Sequence, residues 1–328
     1  MLAQTYHRLT KLILPRNIYV VAAPRYRNAV RKCLPDFSGE NFIAEPVPRN
    51  TAPALILANI RLSQISEDIN LLVTPADHYI RDERKFSRQL RDALACADTR
   101  CIITAGVKPT SPHTGYGYIQ FNRQKYSAVR DEKFFRVVEF KEKPDEKTAQ
   151  TYIEKGNCFW NSGLFVYKLR FFKEFILAHS PYYGGAYQRL ESFRKNEKRF
   201  TAVFASVQPE SIDYALMEKM DEVRMFEARF GWNDVGSWSS VYEINKKNRE
   251  GNVIKGNTVV INTRGSLVFS VTDKPLAAVG LREMAIIQTD TGLLVSQMHE
   301  TQKVKQVSTL LKKRRIRRGD RGRREKTE

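Results

Sequence analysis

The 328-residue sequence lacks the short motifs of several enzyme classes. It has no G-x-G-x-x-G, no P-loop, no H-E-x-x-H and no G-x-S-x-G. Dinucleotide, Walker-type, zincin and α/β-hydrolase chemistry therefore have no local support. Cysteine and histidine are scarce, at four and five residues. Cys33, Cys96, Cys101 and Cys158 form no CxxC and no zinc-spaced cluster with histidine. Such scattered cysteines fit a reducing cytoplasm better than a disulfide scaffold. No apolar run approaches membrane-spanning length, and MLAQTYHRLTKL lacks the apolar stretch of a signal peptide. The expected location is cytoplasmic, without a membrane partner.

Charge is abundant and unbalanced. The net charge is +19, and hydrophobic residues make up 42%, enough for an ordinary core. The end LLKKRRIRRGDRGRREKTE carries roughly +7 of that excess and reads as a disordered basic tail from residue 312. The rest suits anionic small substrates. Nucleic acid is not an expected partner, because no recognised binding motif accompanies the charge.

Up to residue 110 strands and helices alternate. NIYVVAA (17–23), NFIAEP (41–46), NLLVTPAD (70–77) and CIITAGV (101–107) read as strands. Residues 24–34, 49–65 and 83–98 read as helices, the second with Thr51 as N-cap and Pro53 in its first turn. This pattern predicts an α/β domain with a mostly parallel sheet. Ligands of such sheets bind beyond the carboxyl ends of the strands. From residue 251 short β runs broken by Gly, Asn and Asp replace the helices, and a few irregular solenoid turns fit there.

Two aspartates stand out. Asp77 ends the apolar run NLLVTPADHYI, and Asp234 lies in FGWNDVGSW. Each alone reads equally as a cap or turn residue. As a pair they suit Mg²⁺, which takes oxygen ligands and often only one or two carboxylates beside substrate phosphates. His78 reads as a hydrogen-bonding neighbour rather than a ligand. Glu45, before the helix opened by RNTAPA, has the acceptors for a guanine edge, or is a solvated strand end. Glu142 and Lys143 close the strand FKEKP, where alternation sends neighbours to opposite sides; a plain surface cluster is the competing reading. Asn161, Ser162 and Gly163 interrupt an aromatic strand, by ligand approach or by a bulge. TGYGYI (114–119) repeats the theme.

In order, EPVPRNTAPA, TPADHYI, TGYGYI, EFKEKP, WNSGLFVY, SIDYALMEK and FGWNDVGSW resemble the mannose-1-phosphate guanylyltransferases, also called GDP-mannose pyrophosphorylases. The resemblance extends to about residue 310. It implies a Rossmann-like nucleotidyltransferase domain over 1–248 and a small β-helical domain over 249–311. The implied reaction is GTP plus mannose 1-phosphate to GDP-mannose plus pyrophosphate. By the same resemblance Asp77 and Asp234 hold the metal, and Glu142 and Lys143 contact sugar and sugar phosphate. Asn161 and Gly117 line the sugar pocket; Glu45, Asn50 and Thr51 lie by the base. A homodimer is left open.

The family pattern also begins with a strand and a glycine-rich phosphate loop resembling GGxGTRLWPLS, followed by PKQ. MLAQTYHRL resembles the helix after PKQ, so about 25 to 30 residues of that pattern find no counterpart here. A central strand would lose its place, and each buried ladder bond lost costs about 1 kcal/mol or more. The expectation on this count is a poorly folded or inactive chain. The alternatives are a nucleotidyltransferase for another sugar phosphate and a non-catalytic nucleotide-sugar-binding regulatory homologue.

Overall fold

A computed structural model describes residues 1–97, 101–219 and 222–311. The basic tail expected from residue 312 lies outside these residues. Contacts divide the chain into two compact units, the first Met1–Trp232 and the second beginning at Asn233.

The first unit opens with α1 (Leu2–Thr10), β1 (Val20–Ala22), α2 (Arg27–Cys33), β2 (Phe42–Ala44), α3 (Thr51–Leu62), β3 (Asn70–Val73), β4 (Tyr79–Ile80), α4 (Glu83–Cys96) and β5 (Ile102–Val107). The expected alternation is present, with shorter elements. Pro24–Tyr26 is a 3-10 turn ahead of α2, as proline at a helix start favours. A long hairpin follows, β6 (Tyr118–Val129) and β7 (Glu132–Lys141), then α5 (Glu146–Lys155) and β8 (Cys158–Lys168). Helices α6 (Leu169–His179), α7 (Pro181–Ser192), α8 (Glu197–Ser206) and α9 (Ile212–Ala215) lead to β9 (Val223–Glu227).

Six strands form one sheet in the order β3-β8-β5-β9-β7-β6. Strand β5 runs parallel to β9, while β8 is antiparallel to β3, β5 and β6, and β7 to β6 and β9. Strands β3, β5, β9 and β6 therefore point one way, β8 and β7 the other. Strands β1 and β2 pair in parallel as a separate ribbon. Among the described residues β3 is an edge strand, and β1 pairs only with β2.

The side-chain period of two sorts this sheet into two cores. Leu71, Val73, Ile102 and Phe165 face the core built with α3, α6, α7 and α8. Leu72, Ile103 and Val166 face the core built with α1, α2 and α4. Helix α3 is buried almost all round, from Ala52 to Leu62, so its start is fixed by packing as well as by its cap. The cap is Asn50, not Thr51. Asn50 Oδ1 accepts from the Thr51 amide at 2.8 Å, and Thr51 is the first helical residue.

The second unit carries β11 (Val253–Lys255), β12 (Thr258–Ile261), β13 (Leu267–Ser270), β14 (Leu276–Val279), β15 (Met284–Thr289) and β16 (Gly292–Gln297). They follow β10 (Trp232–Asn233), where the chain passes from one unit to the next, and α10 (Trp238–Ile244). Strands β11, β13 and β15 stack in parallel, as do β12 and β14. This is the coil of a small β-helix, with Val253, Leu267 and Ile287 in one core and Val268, Ala278 and Ile286 in another. Asn252 buttresses the coil from inside, donating Nδ2 to Thr263 O at 2.6 Å and accepting from Ser266 N at 2.9 Å. Strand β16 folds back antiparallel on β15. The solenoid expected over 251–297 is thus present. No helix among the described residues is long and apolar enough to cross a membrane, and no disulfide joins any of the four cysteines.

Candidate functional site

In the first unit, the start of β6, the end of β7, the middle of β8 and the single turn of α9 bring their polar residues together. Gly117 precedes β6 and gives its carbonyl to the Asn161 amide at 2.8 Å. A Cβ on Gly117 would meet Glu142 Oε2 at 2.5 Å and the Phe140 ring at 3.3 Å. The absent side chain is what lets the Glu142 carboxylate lie there.

Glu142 is buried at 7% exposure. Its Oε1 accepts from Lys143 Nζ at 2.6 Å. The expected opposite orientation of these neighbours does not hold. Lys143 has left β7 with φ 44, a left-handed backbone that ends strand alternation and folds its ammonium back onto Glu142. Burial pulls the Lys143 ammonium down, but the Glu142 hydrogen bond and charge outweigh it, so the pKa is raised and the cation held. The Glu142 amide donates to Glu218 Oε1 at 3.0 Å.

Asn161 sits on β8, with its backbone N–H on the Gly117 carbonyl. Its Oδ1 lies 2.9 Å from Thr104 Oγ1 and accepts from Gly163 N at 3.3 Å. Its Nδ2 donates to Asp213 Oδ1 at 2.9 Å. Asp213 was not picked out by sequence reasoning, nor were Thr104 and Glu218. The only signal for Asp213 and Glu218 was their place in SIDYALMEK. Burial first, then the Glu142 charge, pushes the Asp213 carboxyl up to about 7, with Lys143 acting against them and Glu218 with them.

Gly163 has φ 71, and Pro75 Cγ lies 3.3 Å from where its Cβ would stand. The loop that follows β3 therefore rests on the interrupted stretch of β8. Asp77 is exposed on that loop. His78 Nδ1 accepts from Trp232 Nε1 at 3.0 Å. Asp234 belongs to the second unit. One of its carboxylate oxygens, Oδ1, accepts from Gly236 N at 3.1 Å in a tight turn where Val235 has φ 54. Asp77 and Asp234 offer carboxylate oxygens, the donor type that Mg²⁺ prefers.

The remaining predicted residues cluster at the start of α3. Glu45 Oε1 accepts from Arg49 N at 2.9 Å. Burial raises the Glu45 pKa, and the Arg49 hydrogen bond opposes it. Asn50 has φ 69, which side-chain capping makes tolerable. Thr51 Oγ1 accepts from Ile212 N at 2.8 Å, tying the helix start to the turn that carries Asp213.

Residues 1–251 match the model of the nucleotidyl transferase family. The chain belongs to this family. Residues 256–311 match the MannoseP isomerase/GMP-like beta-helix domain, over the parallel coils described above. The chain is 36% identical to a mannose-1-phosphate guanylyltransferase of Salmonella montevideo, over 95% of this chain and 67% of that one. It is 35% identical to the xanthan biosynthesis protein XanB of Xanthomonas campestris pv. campestris, over 82% of this chain and 57% of that one. The chain thus spans between 57% and 67% of the length of these curated relatives. Among solved structures, one described as a mannose-1-phosphate geranyltransferase from Thermus thermophilus superposes with a TM-score of 0.82 at 28% identity, covering 95% of this chain and 89% of that one.

Proposed function

We propose that the chain is a mannose-1-phosphate guanylyltransferase, joining GTP and mannose 1-phosphate to GDP-mannose and pyrophosphate. The observation that carries this reading is that Gly117, Glu142, Lys143 and Asn161, from three separate strands or strand ends, join in one connected polar cluster. The named relatives support it for the substrate.

A sugar-phosphate oxygen attacks the α-phosphorus of GTP, and the bond from that phosphorus to the bridging oxygen of the β-phosphate breaks. Pyrophosphate leaves with that electron pair. The nucleophile is already anionic, so positioning and charge neutralisation are the protein's main tasks. Two like charges about 4 Å apart cost about 4 kcal/mol at an effective dielectric of 20. Lys143, kept protonated by Glu142, offsets part of that cost at the sugar phosphate. Glu142 and Asn161 orient the hexose through its hydroxyls. Glu45, with one oxygen held by Arg49 N, presents the other to the guanine edge, beside Asn50 and Thr51. Asp77 and Asp234 are each proposed as a ligand of Mg²⁺, which when bound supplies further neutralisation of phosphate charge.

The test is pyrophosphate release by the purified chain with Mg²⁺, comparing GTP with other triphosphates and mannose 1-phosphate with glucose 1-phosphate. Preference for GTP and mannose 1-phosphate is expected in binding and in whatever turnover the chain supports with no counterpart to the glycine-rich phosphate loop among its residues. A preference for another pair, or no binding of mannose 1-phosphate in calorimetry, overturns the assignment.

A further inference from the structure

We propose that Asp213 is a positioning residue for the sugar phosphate, locking the amide of Asn161 so that it presents a hydrogen-bond donor to the hexose. The proposal rests on the reading of this pocket as the hexose 1-phosphate site. An asparagine amide has two donor hydrogens on nitrogen and an acceptor oxygen, and either end can face a ligand unless neighbours decide. Here they decide. Asn161 Oδ1 accepts from Gly163 N at 3.3 Å and lies 2.9 Å from Thr104 Oγ1, whose single hydrogen is shared with Leu164 O, also at 2.9 Å. Asn161 Nδ2 gives one hydrogen to Asp213 Oδ1 at 2.9 Å. A flipped amide would set its oxygen against the Asp213 carboxylate and its NH₂ against the Gly163 N–H. With Asp213 ionised both contacts are repulsive; with it protonated the Gly163 N–H still opposes the flip. The second Nδ2 hydrogen is left for a substrate oxygen, opposite in character to the Glu142 acceptor. A donor from β8 and an acceptor from the end of β7 then read the hydroxyl pattern of the sugar.

The charge on Asp213 is a separate matter from the bond. A protonated Asp213 still accepts from Asn161 on its unprotonated oxygen. The charged groups acting on it are Glu142 and Lys143 at the end of β7 and Glu218 after α9. Ionisation of Asp213 adds a negative charge to a pocket that must receive a phosphate, so it weakens sugar-phosphate binding as pH rises past neutrality.

Three variants separate bond from charge. Asp213→Ala removes the acceptor. Asp213→Asn keeps an acceptor oxygen but cannot ionise. Thr104→Val removes one of the two groups at the other end of the same amide, leaving the Gly163 N–H. For Asp213→Ala, KM for mannose 1-phosphate is expected to rise about 10-fold, and for Thr104→Val by less, because Gly163 N still holds Oδ1, with the KM for GTP and kcat nearly unchanged. Asp213→Asn is expected to keep a KM near that of the unmodified chain at pH 6 and to lose the rise in KM between pH 6 and 8. Calorimetric binding of mannose 1-phosphate gives the same comparison without turnover. If the unmodified chain binds mannose 1-phosphate and Asp213→Ala binds it equally well, the role of Asp213 is refuted. If Asp213→Asn is as impaired as Asp213→Ala, charge and not amide orientation matters, and the proposal fails. Should Asp213→Ala not fold, an unchanged KM in Asn161→Ala refutes the donor role of this amide, and the proposal with it. If the unmodified chain binds no mannose 1-phosphate, the reading of the pocket falls, and the proposal with it.

Discussion

Asn161 Nδ2 donates to Asp213 Oδ1 at 2.9 Å, joining the middle of β8 to the single turn of α9 across 52 positions of sequence. Through Thr51 Oγ1, which accepts from Ile212 N, the same turn is tied to the start of α3. The pocket proposed for sugar and the segment proposed for base thus share one structural joint.

Replacing Gly117 tests how closely that pocket is built. In Gly117→Ala the new methyl stands where Glu142 Oε2 lies. The carboxylate must move, and overpacking of this kind costs about 1–3 kcal/mol. KM for mannose 1-phosphate is expected to rise at least about 10-fold, with Tm falling by only a few degrees. Steady-state kinetics and a thermal melt check both halves. An unchanged KM would place Glu142 outside the sugar site.

Lys143 is the cation proposed for the sugar phosphate. A hydrogen bond to a charged group is worth about 1.5–3 kcal/mol. Lys143→Met is therefore expected to lower kcat/KM for mannose 1-phosphate by roughly 10- to 100-fold. Lys143→Arg is not expected to restore it, because a planar fork does not replace a point charge already seated on Glu142. Equal activity of Lys143→Met and the unmodified chain would remove this residue from the mechanism.

The stability of the chain carries the mark of Asp213. Its folded-state pKa of about 7 lies above the ordinary 3.8. Between these values the native state binds more protons than the unfolded chain, so stability falls as pH rises through the window and levels off above it. A tenfold difference in proton affinity between the two states corresponds to about 1.4 kcal/mol. Asp213→Asn should flatten the dependence of Tm on pH over roughly pH 4 to 7. A slope identical to that of the unmodified chain would show that Asp213 does not titrate there.

Asp77 and Asp234 make separate predictions. Asp77→Asn and Asp234→Asn are each expected to raise the Mg²⁺ concentration giving half-maximal activity. Each should lower kcat on the order of 100-fold, since the ion's neutralisation of phosphate charge is worth several kcal/mol. A titration with MgCl₂ reads both effects. A variant with an unshifted Mg²⁺ response is not a ligand, whichever way the other behaves.

In the β-helix, Asn252 gives a prediction independent of catalysis. Asn252→Ala strands the buried Thr263 carbonyl and Ser266 amide, at about 1–3 kcal/mol for each group left unsatisfied. Denaturant unfolding should show the loss in the transition that covers this unit. No loss would mean that water replaces the side chain.

Much of the architecture was legible along the chain because it is written in local patterns. The alternation of apolar runs with amphipathic stretches set out the α/β unit, and the change at residue 251 marked the parallel coils. Glycines and asparagine turns stop helices whatever surrounds them. Glu142, Lys143, Asn161 and Gly117 were reached through the resemblance of the ordered motifs, since by local pattern alone they read equally as a surface cluster and a bulge.

What the sequence could not hold was decided in three dimensions. Asn50 caps α3 in place of Thr51 because Thr51 is drawn off to Ile212, a partner distant in the chain. Lys143 turns onto Glu142 because its backbone leaves the strand with φ 44, which no alternation rule contains. Asp213 became visible only when burial and the charge of Glu142 raised its pKa and packing set it against Asn161. Pattern along a chain records which way a side chain faces; which partner meets it, and at what cost in charge, is fixed only when separate strands and turns close on one another.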